Sequence, residues 1–210
     1  MSTKKISILD YGSGNLRSAQ KAFQQLGVSA EITSDYEDSL NSDGFVLPGV
    51  GAFGSCMSGI NAVRGNEIVD KRLAGNRKVL GICVGMQVMF EKGFENENVS
   101  PGLGQWPGSV ELLEAQIVPH MGWNYLEVNP ETQIFKGLED QSFYFVHSYA
   151  AKELEMNTHE KFLKPIVHYA THGEKFVASV ENGPLTATQF HPEKSGDAGL
   201  QLLKNWVATL

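Results

Sequence analysis

Three apolar runs each break off into a glycine-bearing turn and a helical pattern, and that recurrence limits the possible folds more than any other feature of the chain. Ile6-Ser7-Ile8-Leu9 runs into Asp10-Tyr11-Gly12-Ser13-Gly14, after which residues 15–26 carry Leu16, Ala19, Ala22, Phe23 and Leu26 at helical spacing. Gly27 stands where a C-cap glycine belongs, and residues 28–33 read as a second strand, so the first third is a βαβ unit with parallel strands. Residues 44–47 and 78–82 repeat the theme, apolar on both sides of the pleat as strands covered by helices on both faces must be. Each precedes a helical pattern, the second over residues 86–91. From Gly102 onward, residues 109–113, 123–128, 142–146, 176–180 and 185–190 read as short strands. Residues 199–210 close the chain as an amphipathic helix, with Leu200, Leu203, Trp206, Val207 and Leu210 on one face. The expectation is an α/β fold with a central, mostly parallel sheet and a strand-rich second half. Its 210 residues hold no repeat, low-complexity tract or linker and are expected to form a single domain, 1–210.

A net charge of −7 offers no basic footprint for a phosphate backbone, so no nucleic-acid partner is expected. The charged start, residues 1–5, is followed by too short an apolar stretch for a signal peptide. No run approaches the roughly 18 apolar residues of a membrane helix, so no membrane partner is expected and the chain reads as cytoplasmic. Two cysteines, Cys56 and Cys83, are too few for a disulfide-stapled fold. Neither lies in a CxxC pair and the six histidines show no metal-ligand spacing, so no metal site is expected.

Chemistry concentrates at Gly81-Ile82-Cys83-Val84-Gly85-Met86-Gln87, a Gly-x-Cys-x-Gly turn between a buried-type strand and a helical pattern. This is the layout of a nucleophile elbow, in which a reactive side chain on a strained turn needs small neighbours on both sides. A following helix N-terminus and a nearby histidine favour the thiolate. A cysteine nucleophile needs a base, and the base an orienting partner. His191-Pro192-Glu193 supplies both at the end of a strand, with Pro192 stiffening the turn. Pro48-Gly49-Val50-Gly51-Ala52-Phe53-Gly54 ends another strand; its glycines let a main chain present N–H donors to an oxyanion, and the N–H groups of Val50 and Val84 are the candidates. The loop lacks the Lys-Ser/Thr ending of a phosphate-binding P-loop. Cys56 has no such setting.

These residues together resemble the class I, triad-type glutamine amidotransferases. Asp10-Tyr11-Gly12-Ser13-Gly14-Asn15-Leu16, Leu47-Pro48-Gly49-Val50-Gly51-Ala52-Phe53, Pro119-His120-Met121-Gly122-Trp123-Asn124, Phe145-Val146-His147-Ser148-Tyr149 and Gln189-Phe190-His191-Pro192-Glu193-Lys194-Ser195 are similar, from end to end, to the glutaminase subunits of imidazole glycerol phosphate synthases. The triad alone fits many amidotransferases; the Met-Gly-Trp-Asn and Tyr-Gly-Ser-Gly-Asn segments are particular to these subunits. The resemblance implies the flavodoxin-like three-layer class I amidotransferase fold and no cofactor. L-glutamine would be the substrate, and ammonia would pass through a tunnel into a separate (β/α)8 cyclase subunit. That subunit makes imidazole glycerol phosphate and an aminoimidazole carboxamide ribonucleotide in histidine biosynthesis.

The resemblance further implies that Cys83 forms a glutamyl thioester, His191 shuttles the proton and Glu193 orients it. Gly51, Gln87, His147, Ser148 and Tyr149 would hold glutamine, and Asn15, Trp123, Tyr144 and Lys194 would face the cyclase. In this family the glutaminase is nearly silent until the cyclase holds its ligand, and the loop at Pro48 is thought to turn an N–H into the oxyanion hole. Val84 replaces a more common leucine, which leaves its backbone N–H unchanged. Three other readings compete: a glutaminase serving pyridoxal phosphate or anthranilate synthesis, a stand-alone cysteine peptidase, and a flavodoxin-like binding module with no catalysis.

Overall fold

The computed structural model describes residues 4–156 and 164–210; the first three residues of the charged start lie outside it. The chain opens with β1 (Lys5–Leu9), α1 (Leu16–Gln25), β2 (Ser29–Thr33), α2 (Tyr36–Asn41), β3 (Gly44–Gly49), α3 (Phe53–Ala62), α4 (Gly65–Ala74), β4 (Val79–Cys83) and α5 (Val84–Gln87). It continues through β5 (Phe90–Glu95), β6 (Asn98–Pro101), β7 (Trp106–Leu112), β8 (His120–Tyr125), β9 (Ser142–His147), β10 (Tyr149–Ala150), β11 (Ile166–His172), β12 (Glu174–Asn182) and β13 (Leu185–Thr188). A short 3-10 turn, Pro192–Lys194, leads into α6 (Gly196–Val207).

The central sheet has seven strands in the order β11-β12-β13-β4-β3-β1-β2. β2, β1, β3, β4 and β13 run parallel, and β12 and β11 add antiparallel at one edge. Every residue of β3 and β4 is buried, as strands covered on both faces must be. On one side α6 presses Trp206 toward β3, close enough that a Cβ at Gly44 would come within 2.8 Å of the Trp206 ring. Trp206 also packs on Phe23 of α1, ring centroids 5.8 Å apart. On the other side Gly65, opening α4, sits against the Leu9 side chain. Gly27 follows α1 with φ +75, the left-handed C-terminal cap its sequence position called for.

Strand order reverses at β1, which has β2 on one side and β3 on the other, so the chain ends of β1 and β3 diverge and leave a crevice beyond their carboxyl ends. Two smaller sheets, β10-β7-β5-β6 and the pair β8-β9, flank that end.

One expected helix is replaced. Residues 86–91 form only the end of a single helical turn, α5, before the chain enters β5. Residues 84–90 are all buried, so there is no polar face for an amphipathic helix. The Val88 carbonyl instead accepts from the Leu103 N–H, and a Cβ at Gly102 would overlap the Phe90 carbonyl oxygen. The β5–β6 hairpin turns through Asn96 at φ 54 and Glu97, and β11 pairs along the sheet edge with β12; neither was read from the sequence. The strand expected over 123–128 begins earlier, at His120, and runs antiparallel to β9 with Trp123 opposite Tyr144.

Candidate active site

β4 ends on Cys83 with φ 56 and ψ −115, a strained backbone for a residue with a side chain. Packing enforces the strain. A Cβ at Gly81 would lie 2.6 Å from the Gly85 carbonyl oxygen, and one at Gly85 would overlap the carbonyl oxygen of Leu47 on the neighbouring β3. Only glycine fits on either side of the cysteine, which is 3 % exposed. Val84 follows as the first residue of α5, where N–H groups have no acceptor within the helix.

β13 runs parallel beside β4, pairing Thr188 with Ile82, so the chain leaving β13 emerges next to the elbow. The His191 N–H donates to the Tyr144 carbonyl (3.0 Å), and the Ser195 hydroxyl donates to the His191 carbonyl (2.7 Å) while accepting the Tyr144 N–H (3.0 Å). These bonds stitch the loop to β9. His191 Nδ1 lies 2.8 Å from Glu193 Oε1; a carboxylate only accepts, so Nδ1 carries the proton and Nε2 is left for Cys83. Burial is the largest single influence on His191 and disfavours its charged form. The neighbouring Cys83 sulfur and the hydrogen bond to Glu193, with their charges, outweigh it and raise the pKa to about 9.

A cavity of about 560 Å³ opens over this corner, within the range of small-molecule sites. Its wall includes Cys83, His191, Val50, Val84 and all five residues expected to hold glutamine: Gly51, Gln87, His147, Ser148 and Tyr149. Gln87 Nε2 donates to the Tyr149 carbonyl (2.8 Å), and His147 Nδ1 donates to the same oxygen (3.0 Å). His147 in turn accepts from His120 Nδ1 (3.1 Å). Burial holds both rings neutral, lowering His147 to about 3 and His120 to about 4. The Val50 carbonyl accepts from the Ser13 hydroxyl (2.7 Å) and the Cys56 thiol (3.4 Å), so Cys56, set aside on sequence grounds, has a structural place behind the loop.

Glu95 and Asn96 also line the cavity, and sequence reasoning missed both. They belong to the β5–β6 hairpin, which begins where the expected helical pattern ends; the Asn96-Glu97 turn between Glu95 and Asn98 was the available signal. Glu95 Oε2 caps α3 by accepting the Phe53 N–H at 2.9 Å. Of the residues expected to face a partner, Lys194 is exposed on the cavity rim, while Asn15 and Tyr144 are half-buried. Trp123 is 58 % exposed and meets Tyr144 edge-on at 6.0 Å. With Met121 and Tyr125, also largely exposed, Trp123 makes an apolar row on one face of β8. No three His, Cys, Asp or Glu side chains among the described residues are grouped to hold a metal ion. No described helix is long and apolar enough to cross a membrane.

Residues 7–210 match the family described as glutamine amidotransferase class-I. Solved structures with the same architecture include one described as a glutamine amidotransferase (TM-score 0.74, 20 % identity, 98 % of this chain and 99 % of that one). Another is PurLQS from Thermotoga maritima (TM-score 0.74, 18 % identity, 99 % of each). At such identities they speak to the fold alone. The chain belongs to the class I glutamine amidotransferases, and the peptidase and binding-module readings give way to that enzyme class. Within the class it is 59 % identical to the imidazole glycerol phosphate synthase subunit HisH of Thermobifida fusca, over 98 % of this chain and 99 % of that protein. It is 55 % identical to the subunit of the same description from Streptomyces coelicolor, over 99 % and 94 %.

Proposed function

We propose that the chain is the glutaminase subunit of an imidazole glycerol phosphate synthase, a single-domain cytoplasmic enzyme that hydrolyses L-glutamine and passes the ammonia to a cyclase subunit. The carrying observation is the convergence on one cavity of Cys83, His191 and the five expected glutamine contacts, with Glu193 holding His191 from behind. Near-complete coverage by HisH relatives supports this pathway over pyridoxal phosphate or anthranilate synthesis.

In this reading the Cys83 thiolate attacks the side-chain amide carbon of glutamine. The N–H groups of Val50 and Val84 receive the oxyanion. His191, held by Glu193, gives its proton to the departing nitrogen, so the C–N bond breaks and ammonia leaves. Water then attacks the glutamyl thioester with His191 as base, the C–S bond breaks, and glutamate is released. A raised His191 pKa suits a group that must hold a proton for the departing nitrogen. The β8 row of Met121, Trp123 and Tyr125 supports docking of the cyclase on that face, where Trp123 meets Tyr144; Asn15 and Lys194 are the other residues expected in the interface.

The test is ammonia release from glutamine by the chain alone and mixed with a cyclase subunit and its nucleotide ligand. Low release alone and a large rise in the mixture is the expected result. High release that the cyclase leaves unchanged would overturn the pathway assignment, and no release in either case would overturn the glutaminase reading.

A further inference from the structure

Gln189 has no part in the reaction as described, yet it is 1 % exposed and its side chain bridges Gln87 and Cys83. Its backbone continues the sheet past β13 by donating to the Ala178 carbonyl at 2.8 Å, which aims the side chain at the elbow from a fixed support.

The orientation of its amide follows from a chain of necessity that starts at a backbone oxygen. The Tyr149 carbonyl can only accept, so the Gln87 atom 2.8 Å away is Nε2. The other hydrogen on that nitrogen meets Gln189 at 3.0 Å, so the Gln189 atom there is Oε1. Gln189 Nε2 is thereby turned to the Cys83 sulfur, 3.8 Å away. A flipped amide would put a carbonyl lone pair against the sulfur and two N–H groups against each other, both unfavourable in a buried site. The same relay uses both hydrogens of Gln87 Nε2 and leaves its Oε1 without a partner among the described residues, at the cavity wall.

We propose that Gln189 is a fourth residue of the nucleophilic centre, its side-chain N–H donating to Cys83 Sγ and stabilising the sulfur as an anion. The proposal rests on the reading of Cys83 as the nucleophile. It acts twice in each turnover: on the thiolate that attacks glutamine, and again when water cleaves the thioester and the C–S electron pair returns to Sγ. The titratable groups around Cys83 are His191, whose charged form the neighbouring sulfur favours, and Tyr11, whose pKa is raised by burial and whose hydroxyl donates to the Pro48 carbonyl. Gln189 differs from both in having no charge to lose, so its donor is present at every working pH.

The experiment follows iodoacetamide alkylation of Cys83, located by peptide mass mapping to separate it from Cys56, in the full chain and in Gln189→Met. Glutaminase activity is measured alongside, with cyclase subunit and ligand present, in both and in Cys83→Ser. Gln189→Met is expected to move the midpoint of the pH profile of Cys83 alkylation up by about one pH unit, slowing alkylation about tenfold below it, the effect of one lost charge-assisted hydrogen bond. The gap should close in strong alkali, where the thiol ionises unaided, and kcat should fall while KM for glutamine changes little. If Gln189→Met does not fold, Gln189→Glu, which keeps the acceptor for Gln87 and loses the donor, is expected to slow alkylation at least as much. An alkylation pH profile equal to that of the unaltered chain in either folded variant would overturn the proposal. Retained activity in Cys83→Ser would instead overturn the nucleophile reading, so the two failures are separable.

Discussion

Two glycine loops end the neighbouring strands β3 and β4, and they are built in opposite ways. At the end of β4 there is no room: Gly81 and Gly85 are hemmed in by backbone atoms, and Cys83 is forced to positive φ between them. At the end of β3, Gly51 also has positive φ (+91), but a Cβ there would meet nothing within 4 Å, and Val50 beside it is 40 % exposed. What holds the second loop is a pair of hydrogen bonds to one carbonyl, from Ser13 and Cys56. Steric exclusion allows one position, whereas hydrogen bonds can be exchanged for others of similar strength. The sulfur is therefore fixed, while the Val50–Gly51 peptide, next to the one whose N–H is proposed to receive the oxyanion, is held by exchangeable bonds.

Substituting the two glycines is the sharpest way to break this comparison. Gly85→Ala forces a methyl group into the Leu47 carbonyl, and an overlap with rigid backbone should destabilise by about 3 kcal/mol or more. A melting curve on purified protein checks this, and a near-normal curve would remove the steric argument. Gly51→Ala meets only the intrinsic strain of left-handed backbone, about 1–2 kcal/mol, so the chain should stay folded while ammonia release falls. Equal destabilisation by the two substitutions would erase the distinction.

The histidines sharpen the contrast by pH. His191 has a raised folded pKa, so the stability it contributes is fully present below its ordinary value near 6.5 and is lost as pH rises through about 9. His120 and His147 have lowered pKa values, so their contribution is present above about 6.5 and is lost as pH falls toward 4 and 3. Stability measured by denaturant across pH should decline on both flanks, by at most about 1.4 kcal/mol per pH unit for each group. His191→Gln should flatten the alkaline flank alone. The smallest expected stability change is at the exposed β8 row: Trp123→Ala should alter stability by less than about 0.5 kcal/mol, yet weaken cyclase binding about tenfold or more in a titration.

The parts of the molecule that were legible in the sequence are those where local pattern and tertiary demand agree. β3 and β4 are buried on both faces and carry unbroken apolar runs, β1 is interrupted by buried Ser7, and the glycines around Cys83 record a backbone constraint in residue type. Burial misled at residues 84–90, where the apolar character that sets a helical pattern came from a turn packed on all sides. That error hid the β5–β6 hairpin and with it Glu95 and Asn96 at the cavity wall. β11 was missed because its buried and half-buried positions mix His168, Tyr169 and His172 with apolar residues, and its pairing shifts register between His168 and Tyr169. The place of Ser13 and the role proposed for Gln189 have no local signature, since each depends on an atom more than 30 residues away.

The central claim, that Cys83 attacks glutamine from this corner, is tested most directly by trapping the intermediate. The chain is mixed with cyclase subunit, cyclase ligand and glutamine, quenched in acid within the turnover time and digested for mass spectrometry. The account predicts a glutamyl group on the peptide carrying Cys83, absent from the Cys83→Ser protein. Turnover of glutamine by Cys83→Ser at the unaltered rate, or a glutamyl group on another residue, would contradict it.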